Sequence, residues 1–270
     1  MALTAPTILS DHIHWSGKIV KLAAHEFNRA ARGTVLGKVW IFAKPLIYIF
    51  CFWFALEIGL RASRTITGDG PYILWLMAGM VPWFFMSGVL NNGIDAYHRF
   101  SYLVKKVKFP LSAVPTISVL SSFFTEIGLM VVLFIVYFVC AQSPTIYLIQ
   151  IPILLVIMFL FWAMVAILFS VFSAYSKDFK NFMNAMGTPL FWLSGVIFSL
   201  QNINIEWVQT ALLFNPITFF VNAFRCALYD HTWFWQDTTA LIAFAGVFVF
   251  TLIVMLFVYG RLHREVADVL

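Results

Sequence analysis

Long apolar runs constrain this chain more than any other feature of its sequence. Stretches of roughly 20 apolar residues recur along its length, and a helix of that size crosses the ~30 Å hydrocarbon core of a bilayer. Only 11% of the 270 residues are charged, whereas soluble domains carry about 25%. The alternating pattern of a membrane barrel is absent. The sequence therefore predicts an all-α integral membrane protein.

Six apolar runs are predicted to span the membrane. They lie at about residues 39–60, 72–93, 111–141, 146–172, 182–200 and 238–260. Residues 202–235 are too polar to span and too apolar for a free loop. We expect two short re-entrant helices there, in the outer leaflet, broken at Asn215-Pro216. The prediction is a six-helix transmembrane domain over residues 39–262, followed by a cytoplasmic tail over residues 263–270.

The first 38 residues precede the first predicted span. Their opening 14 residues lack the basic and apolar regions of a cleaved signal peptide, so we expect the first membrane helix to direct insertion. Over residues 15–38, Trp15, Ile19 and Leu22 recur at helical spacing with basic residues between them. This pattern favours an amphipathic helix lying in the cytoplasmic interface. A solvated tail that holds positive charge inside the cell is the alternative.

The distribution of basic residues predicts the orientation. A basic segment, residues 97–110, separates the second and third apolar runs. With six spans, nearly all of the 17 Lys and Arg residues fall on the side of this segment. The exceptions are Arg61, Arg64 and Arg225. Since cytoplasmic loops are enriched in Lys and Arg, both termini are predicted to be cytoplasmic. The net charge of +5 is then a topology signal, and no nucleic-acid partner is expected.

No catalytic or metal-binding motif appears in the sequence. Nucleotide-binding loops, zinc-protease helices and nucleophile elbows are absent, and the three cysteines stand apart from one another. We expect no enzyme activity, cofactor or metal in this chain, so a pump would need a separate ATPase. Glu126 and the near-interfacial Glu57 are too few acids for a proton relay. Glu126 either faces a polar interior or is protonated and hydrogen-bonded to another helix.

Several short stretches occur in a characteristic order. They are Arg32–Trp40 leading to Pro45, Trp75–Phe85, Leu103–Pro110, Ser176–Phe179, and Asn215–Thr218 followed by Ala223–Arg225. Together they resemble the membrane subunit of type 2 ABC exporters, in the branch that exports polysaccharides and teichoic acids. The resemblance extends from about Arg29 to the last span. Three stretches, Gly59–Arg61, Gly68–Tyr72 and Ala78–Phe85, are most similar to the wall teichoic acid exporter permeases.

The resemblance implies a homodimer in the bacterial cytoplasmic membrane with two copies of an ATP-binding subunit, which would bind ATP and Mg²⁺. The implied substrate is undecaprenyl-diphosphate-linked wall teichoic acid. An exporter of O-antigen or capsular polysaccharide is the alternative within the family. A partner-independent channel or lipid scramblase is the alternative outside it, and inverted repeats with paired broken helices, which would favour a channel or secondary transporter, are not evident.

Three groups of residues are the candidate functional residues under this interpretation. Contact with the ATP-binding subunit is expected from Tyr97, His98, Arg99, Tyr102, Lys105 and Lys106. Cations for the lipid diphosphate are Arg29, Arg32, Lys105, Lys106 and Lys108, with simple positive-inside anchoring as the alternative. Aromatic faces along the polymer path are Trp75, Trp83, Phe84, Phe85, Phe191 and Trp192. Lipid-facing positions are the alternative for these rings.

Overall fold

Helices form all of the regular secondary structure in the part of the chain that is described. The computed structural model describes residues 5–29, 31–33, 35–60, 70–106, 109–140, 143–199, 205–262 and 266. Its helices are α1 (Ala5–Arg29), α2 (Val39–Trp53), α3 (Tyr72–Gly88), α4 (Ala96–Arg99), α5 (Ser101–Lys106), α6 (Ala113–Val139), α7 (Gln150–Tyr175), α8 (Lys177–Leu193), α9 (Glu206–Leu213), α10 (Pro216–Leu228) and α11 (Thr238–Leu262). Wider π-helical turns, Phe54–Gly59 and Val89–Gly93, extend α2 and α3, and a 3-10 turn, Ile146–Ile149, leads into α7.

Among the described residues, five helices with their extensions are long and apolar enough to cross a membrane. They are Val39–Gly59, Tyr72–Gly93, Ala113–Val139, Ile146–Tyr175 and Thr238–Leu262. These correspond to the first four and the last of the six apolar runs, with boundaries that differ by a few residues. The protein is therefore a multi-pass, helical membrane protein.

The fifth apolar run forms a shorter helix than predicted, and it is displaced along the sequence. α8 begins at Lys177, where Ser176 Oγ accepts a hydrogen bond from the Phe179 amide at 3.2 Å. It ends at Leu193 after 17 residues, which rise only about 25 Å. The cause is Gly195, whose φ of 71° places it in the left-handed conformation that ends helices. The prediction of a span reaching Leu200 is thus wrong.

The break predicted at Asn215-Pro216 is present. α9 and α10 meet there at an angle of 88°. Asn215 Oδ1 accepts a hydrogen bond from the Ile217 amide at 3.0 Å, and Pro216 occupies the first turn of α10. An Asn cap followed by proline is a strong helix start, so these residues determine the bend. If the pair is counted as one bent span, the total becomes six.

The amphipathic helix also differs from its predicted limits. α1 occupies Ala5–Arg29, whereas residues 31–33 and 35–38 form turns, so the helix begins ten residues earlier than expected. Its buried side chains, Ile8, Ile19 and Ala23, belong to an apolar cluster that also contains Ala113, Val114 and Ile117 of α6. Part of α1 is therefore covered by the protein itself and does not face an interface.

The larger apolar core surrounds α3. It joins α3 to α6, α7 and α10, with fully covered side chains such as Leu76, Met80 and Met86 on α3. The smaller cluster lies around α1, α4 and the adjoining ends of α6, α7 and α11. α3 is therefore the central helix of this protomer, and α2 and α8 lie at its periphery.

Candidate functional site

A cleft of about 510 Å³ opens between α2, α3 and α8. Three helices supply its walls. Each helix contributes polar side chains together with aromatic or other apolar ones. The lining residues are Lys44, Pro45, Tyr48, Trp83, Phe84, Ser87, Asn91, Asn184, Gly187, Thr188, Phe191 and Trp192. Amides, hydroxyls and flat aromatic faces together suit a ligand with both hydroxyl groups and apolar faces, because pockets use a few polar groups to orient what larger apolar surfaces bind.

Phe191 is the aromatic centre of this cleft. Its ring centroid lies 5.5 Å from that of Trp83 on α3, and 5.4 Å from Phe52 and 6.3 Å from Tyr48 on α2. These edge-on and tilted arrangements are the favoured geometry for aromatic pairs. Only 4% of Phe191 is exposed, whereas the neighbouring Trp192 is 52% exposed. Phe191 thus ties the three walls together, and Trp192 presents an open face.

Four of the six predicted path residues line the cleft, namely Trp83, Phe84, Phe191 and Trp192. Trp75 and Phe85 are not among its lining residues. Phe85 is buried and packs 5.7 Å from Phe123 of α6. Trp75 lies under the guanidinium of Arg225, whose carbon is 3.5 Å from the ring centroid. These last two rings belong to the packed interior.

Arg225 is buried in the protein, although the sequence placed it among the charges of the outer face. Its Nη1 and Nη2 donate to the carbonyl oxygens of Gly195 and Val196 at 2.8 and 2.5 Å. The side chain therefore joins α10 to the turn that follows α8, and the ring of Trp75 on α3 covers it. No sequence pattern pairs residues this far apart, so this contact could not be predicted.

The polar lining of the cleft was missed at the sequence level, although a signal exists. Asn184, Gly187, Thr188 and Phe191 recur at intervals of three and four residues on α8. Such spacing places them on one helical face. A mixed polar and aromatic stripe on an otherwise apolar run would have indicated a helix that faces something other than lipid. Lys44 and Tyr48, four residues apart on α2, repeat that signal more weakly.

The basic segment at residues 97–110 is fixed to its neighbours by its first helix, α4. Tyr97 is 1% exposed, and a His98 ring nitrogen lies 3.2 Å from the carbonyl oxygen of Ser173 at the end of α7. Arg99 forms an ion pair with Glu26 of α1 and donates to Asn92 Oδ1 at 3.0 Å. Burial lowers the pKa of the Arg99 guanidinium, because desolvation disfavours the charged form.

The predicted cations within the described part of the chain have different surroundings. Arg29 Nε lies 3.4 Å from Glu26 Oε2, and Arg32 Nη2 lies 3.1 Å from a His25 ring nitrogen. On α5, Tyr102 is 50% exposed and Lys105 is exposed. The Lys106 side chain and Lys108 lie outside the described residues. Of the predicted contact residues, Tyr102 and Lys105 are thus the accessible ones within the described part of this segment, whereas Tyr97 is buried.

Comparison with known proteins identifies the family. Residues 18–229 match the model of the ABC-2 type transporter membrane family. The chain belongs to the ABC-2 type transporter family. In this family the transmembrane subunit works with an ATPase that is a separate protein. This ABC-2 type chain is accordingly the permease subunit of an ABC exporter.

Individual relatives are distant but match along most of their length. An O-antigen export system permease protein RfbA from Myxococcus xanthus is 23% identical over 265 residues, covering 97% of this chain and 98% of the relative. Two proteins of the same name from Klebsiella pneumoniae are 20% and 22% identical over 242 residues, covering 88% of this chain and 89% of each relative. This ABC-2 permease therefore aligns with most of the length of each relative, although the sequence identity is low.

Proposed function

We propose that this ABC-2 permease exports a lipid-linked glycopolymer, and that the cleft between α2, α3 and α8 forms part of the polymer path. The lining of the cleft carries the proposal. Sugar units present hydroxyl groups and apolar ring faces, which the amides of Asn91 and Asn184 and the rings of Trp83, Phe191 and Trp192 are suited to contact. Stacking surfaces of this kind allow repeated units to slide without a strong single binding site.

The exposure of α2 and α8 supports a homodimer. Both helices line the cleft, and both have largely exposed side chains in one protomer. In the most apolar 18-residue window of the Val39–Gly59 span, only 6% of residues are buried. A second copy placed against α2 and α8 would close the open side of the cleft and convert it into a passage. The accessible Tyr102 and Lys105 of α5 would then contact an ATP-binding subunit on the cytoplasmic side, where we also place both termini.

The substrate class rests on the relatives and on sequence resemblance. All three relatives are named O-antigen export permeases, which favours a polysaccharide carried on a lipid diphosphate. Wall teichoic acid is the second candidate, because the stretches Gly59–Arg61 and Gly68–Tyr72 resemble the teichoic acid branch. In both cases Arg29, Arg32 and Lys105 are candidate partners for the diphosphate, together with Lys106 and Lys108.

Association with an ATP-binding subunit is the first test. The tagged chain should co-purify with an ATP-binding protein encoded beside it, and export should require both. Charge reversal of Lys105 and Lys106 should reduce association or the ATP hydrolysis that accompanies transport. Recovery of an active chain without any ATP-binding partner would contradict the proposal in favour of a channel or scramblase.

The polymer itself is identified by what accumulates when the chain is removed. Deletion should leave lipid-linked glycopolymer inside the cell, and its chemistry decides between the two substrates. A phosphodiester polymer indicates teichoic acid, whereas a polysaccharide without backbone phosphate indicates the O-antigen class. Alanine replacement of Trp83, Phe84, Phe191 and Trp192 should lower export of that polymer, with Trp75 and Phe85 tested alongside. Unchanged export in all six variants would exclude the aromatic path.

A further inference from the structure

The two ends of α8 are attached to different parts of the protein. At its N-terminal end, Lys180 Nζ lies 2.8 Å from Asp95 Oδ1, the residue directly before α4. The Phe179 ring packs 5.5 and 5.4 Å from the rings of Phe169 and Phe172 on α7. The first part of α8 is therefore attached to the start of the basic segment and to the end of α7.

The C-terminal end of α8 is attached to different helices. Asn215 Nδ2 donates to Ser194 Oγ at 2.9 Å, and Thr218 Oγ1 donates to the Ser194 carbonyl at 3.2 Å. Arg225 donates to the carbonyl oxygens of the next two residues, Gly195 and Val196. All three donors come from α10 or its cap, so this end is fixed to the packed interior of the protomer.

Between these attachments lies a weak point in the helix. Pro189 removes one backbone hydrogen bond within α8. Two residues earlier, a Cβ atom added at Gly187 would meet no heavy atom within 4 Å, so the face of the helix at Gly187 is open. Glycine and proline together are a recognised cause of helix bending. Gly187 and Thr188 also line the cleft, so a bend at this point changes the shape of its wall.

We propose that α8 bends at a hinge during the transport cycle and thereby transmits movement to the cleft. Movement of the basic segment reaches the first half of α8 through the ion pair between Asp95 and Lys180. The second half stays with α10, so the helix bends at Gly187–Pro189 and changes the width of the cleft. This inference rests on the proposed function, because it needs an ATP-binding subunit to move the basic segment. Asp95 and Lys180 are positioning residues, since they act on the cleft through α8.

Distances between the cleft walls test the hinge directly. Cys51, Cys140 and Cys226 are replaced by alanine, and spin labels are attached through Lys44→Cys on α2 and Asn184→Cys on α8. The chain is reconstituted in lipid with its ATP-binding subunit and an excess of unlabelled chain. Electron paramagnetic resonance then gives the distance between the labels, with and without a non-hydrolysable ATP analogue. We expect the analogue to shift this distance, and an unchanged distance would overturn the hinge.

Gly187→Ala and Gly246→Ala form a matched pair of variants. A Cβ atom meets open space at both positions, so neither change causes a clash. Alanine stiffens a helix relative to glycine, but only α8 is predicted to bend. Gly187→Ala should reduce the ATP-dependent distance shift by at least half, whereas Gly246→Ala on α11 should preserve it. Equal shifts in the two variants would overturn the hinge at Gly187–Pro189.

The ion pair is tested by reversal and exchange. Lys180→Asp or Asp95→Lys alone should abolish the distance shift, because each places like charges together. The double exchange should restore it, which loss of folding could not explain, and failure of restoration would overturn the role of the pair. If the ATP-binding subunit does not associate with the unmodified chain, the proposed function fails and the hinge with it. Normal association and ATP hydrolysis with a constant label distance would overturn the hinge alone.

Discussion

Two spans of nearly equal mean hydropathy have opposite environments in this protein. In the most apolar 18-residue window of Tyr72–Gly93, which contains α3, 78% of the residues are buried, against 6% in Val39–Gly59, which contains α2. The α3 span contacts α6, α10 and α2, and its π-helical extension Val89–Gly93 contacts α7, whereas α2 contacts α3 and α6. The difference shows that apolar composition brings a helix into the membrane, but packing partners decide whether it lies in the interior or borders the cleft. The following variants test that division.

The largest loss of stability is expected from replacing Arg225, the buried cation next to α3. Arg225→Leu removes the donor to two buried carbonyl oxygens, those of Gly195 and Val196. We expect a loss of about 3 kcal/mol in the free energy of unfolding, measured by denaturant titration in detergent micelles. Arg261→Leu, at an exposed position on α11, is the control and should change stability by less than about 0.5 kcal/mol. Equal stability of the two variants would show that Arg225 is not needed.

A second comparison uses one glycine from each span. A Cβ atom at Gly79 of α3 would lie 2.7 Å from Arg225 Nη2 and 2.8 Å from the Val196 carbonyl oxygen. At Gly59, at the end of the α2 span, it would meet nothing within 4 Å. Gly79→Ala should therefore destabilise the protein by about 2 kcal/mol, and Gly59→Ala should not. The same unfolding titration measures both, and a tolerated Gly79→Ala would mean that α3 packs more loosely than described.

A third comparison removes part of one aromatic ring from each span. Phe85 on α3 is 2% exposed, and Phe50 on α2 is 58% exposed. Phe85→Leu should cost about 1 kcal/mol, because the interior cannot fully refill the lost volume. Phe50→Leu should cost less than about 0.5 kcal/mol in the isolated chain. A similar cost at Phe50 would contradict the exposed position of this ring on α2.

The smallest effect on stability, with the largest effect on transport, is expected inside the cleft. Tyr48 lines the cleft and is 47% exposed, so Tyr48→Ala should change the free energy of unfolding by less than about 0.5 kcal/mol. Polymer export should nevertheless fall several-fold. Phe50→Ala on the same helix, outside the cleft lining, is the matched control for export. Equal export in the two variants would remove α2 from the path.

Local features of the sequence predicted several local structures. The apolar runs predicted six spans, five of which correspond to helices long enough to cross a membrane. Asn215-Pro216 predicted the bend between α9 and α10, because caps and prolines act within a few residues. The start of α8 after Ser176 was not predicted, because the fifth run was expected to begin at residue 182. The end of α8 was predicted wrongly because Val196, Ile197 and Phe198 continue the apolar run. There the left-handed Gly195 and the hydrogen bonds from α10 overrode hydropathy.

The candidate site was predicted only in part. Trp83, Phe84, Phe191 and Trp192 line the cleft, but Trp75 belongs to the interior because Arg225 covers it from a distant part of the chain. The partners of Arg99 and Lys180 were also invisible in the sequence, since ion pairs between helices depend on how the helices are arranged. Residue type therefore indicated aromatic candidates, and only the packing of α2, α3 and α8 sorted them.

The sequence alone determined that this protein is a multi-pass helical membrane protein, where most of its spans lie, and the exporter family that its short stretches resemble. The tertiary structure decided which spans are central, where the cleft opens and which charges are buried. The physical reason is that lipid tails are about as apolar as a leucine-rich interior. Hydropathy registers removal from water but does not distinguish lipid from protein, so α2 and α3 differ only once the helices are packed.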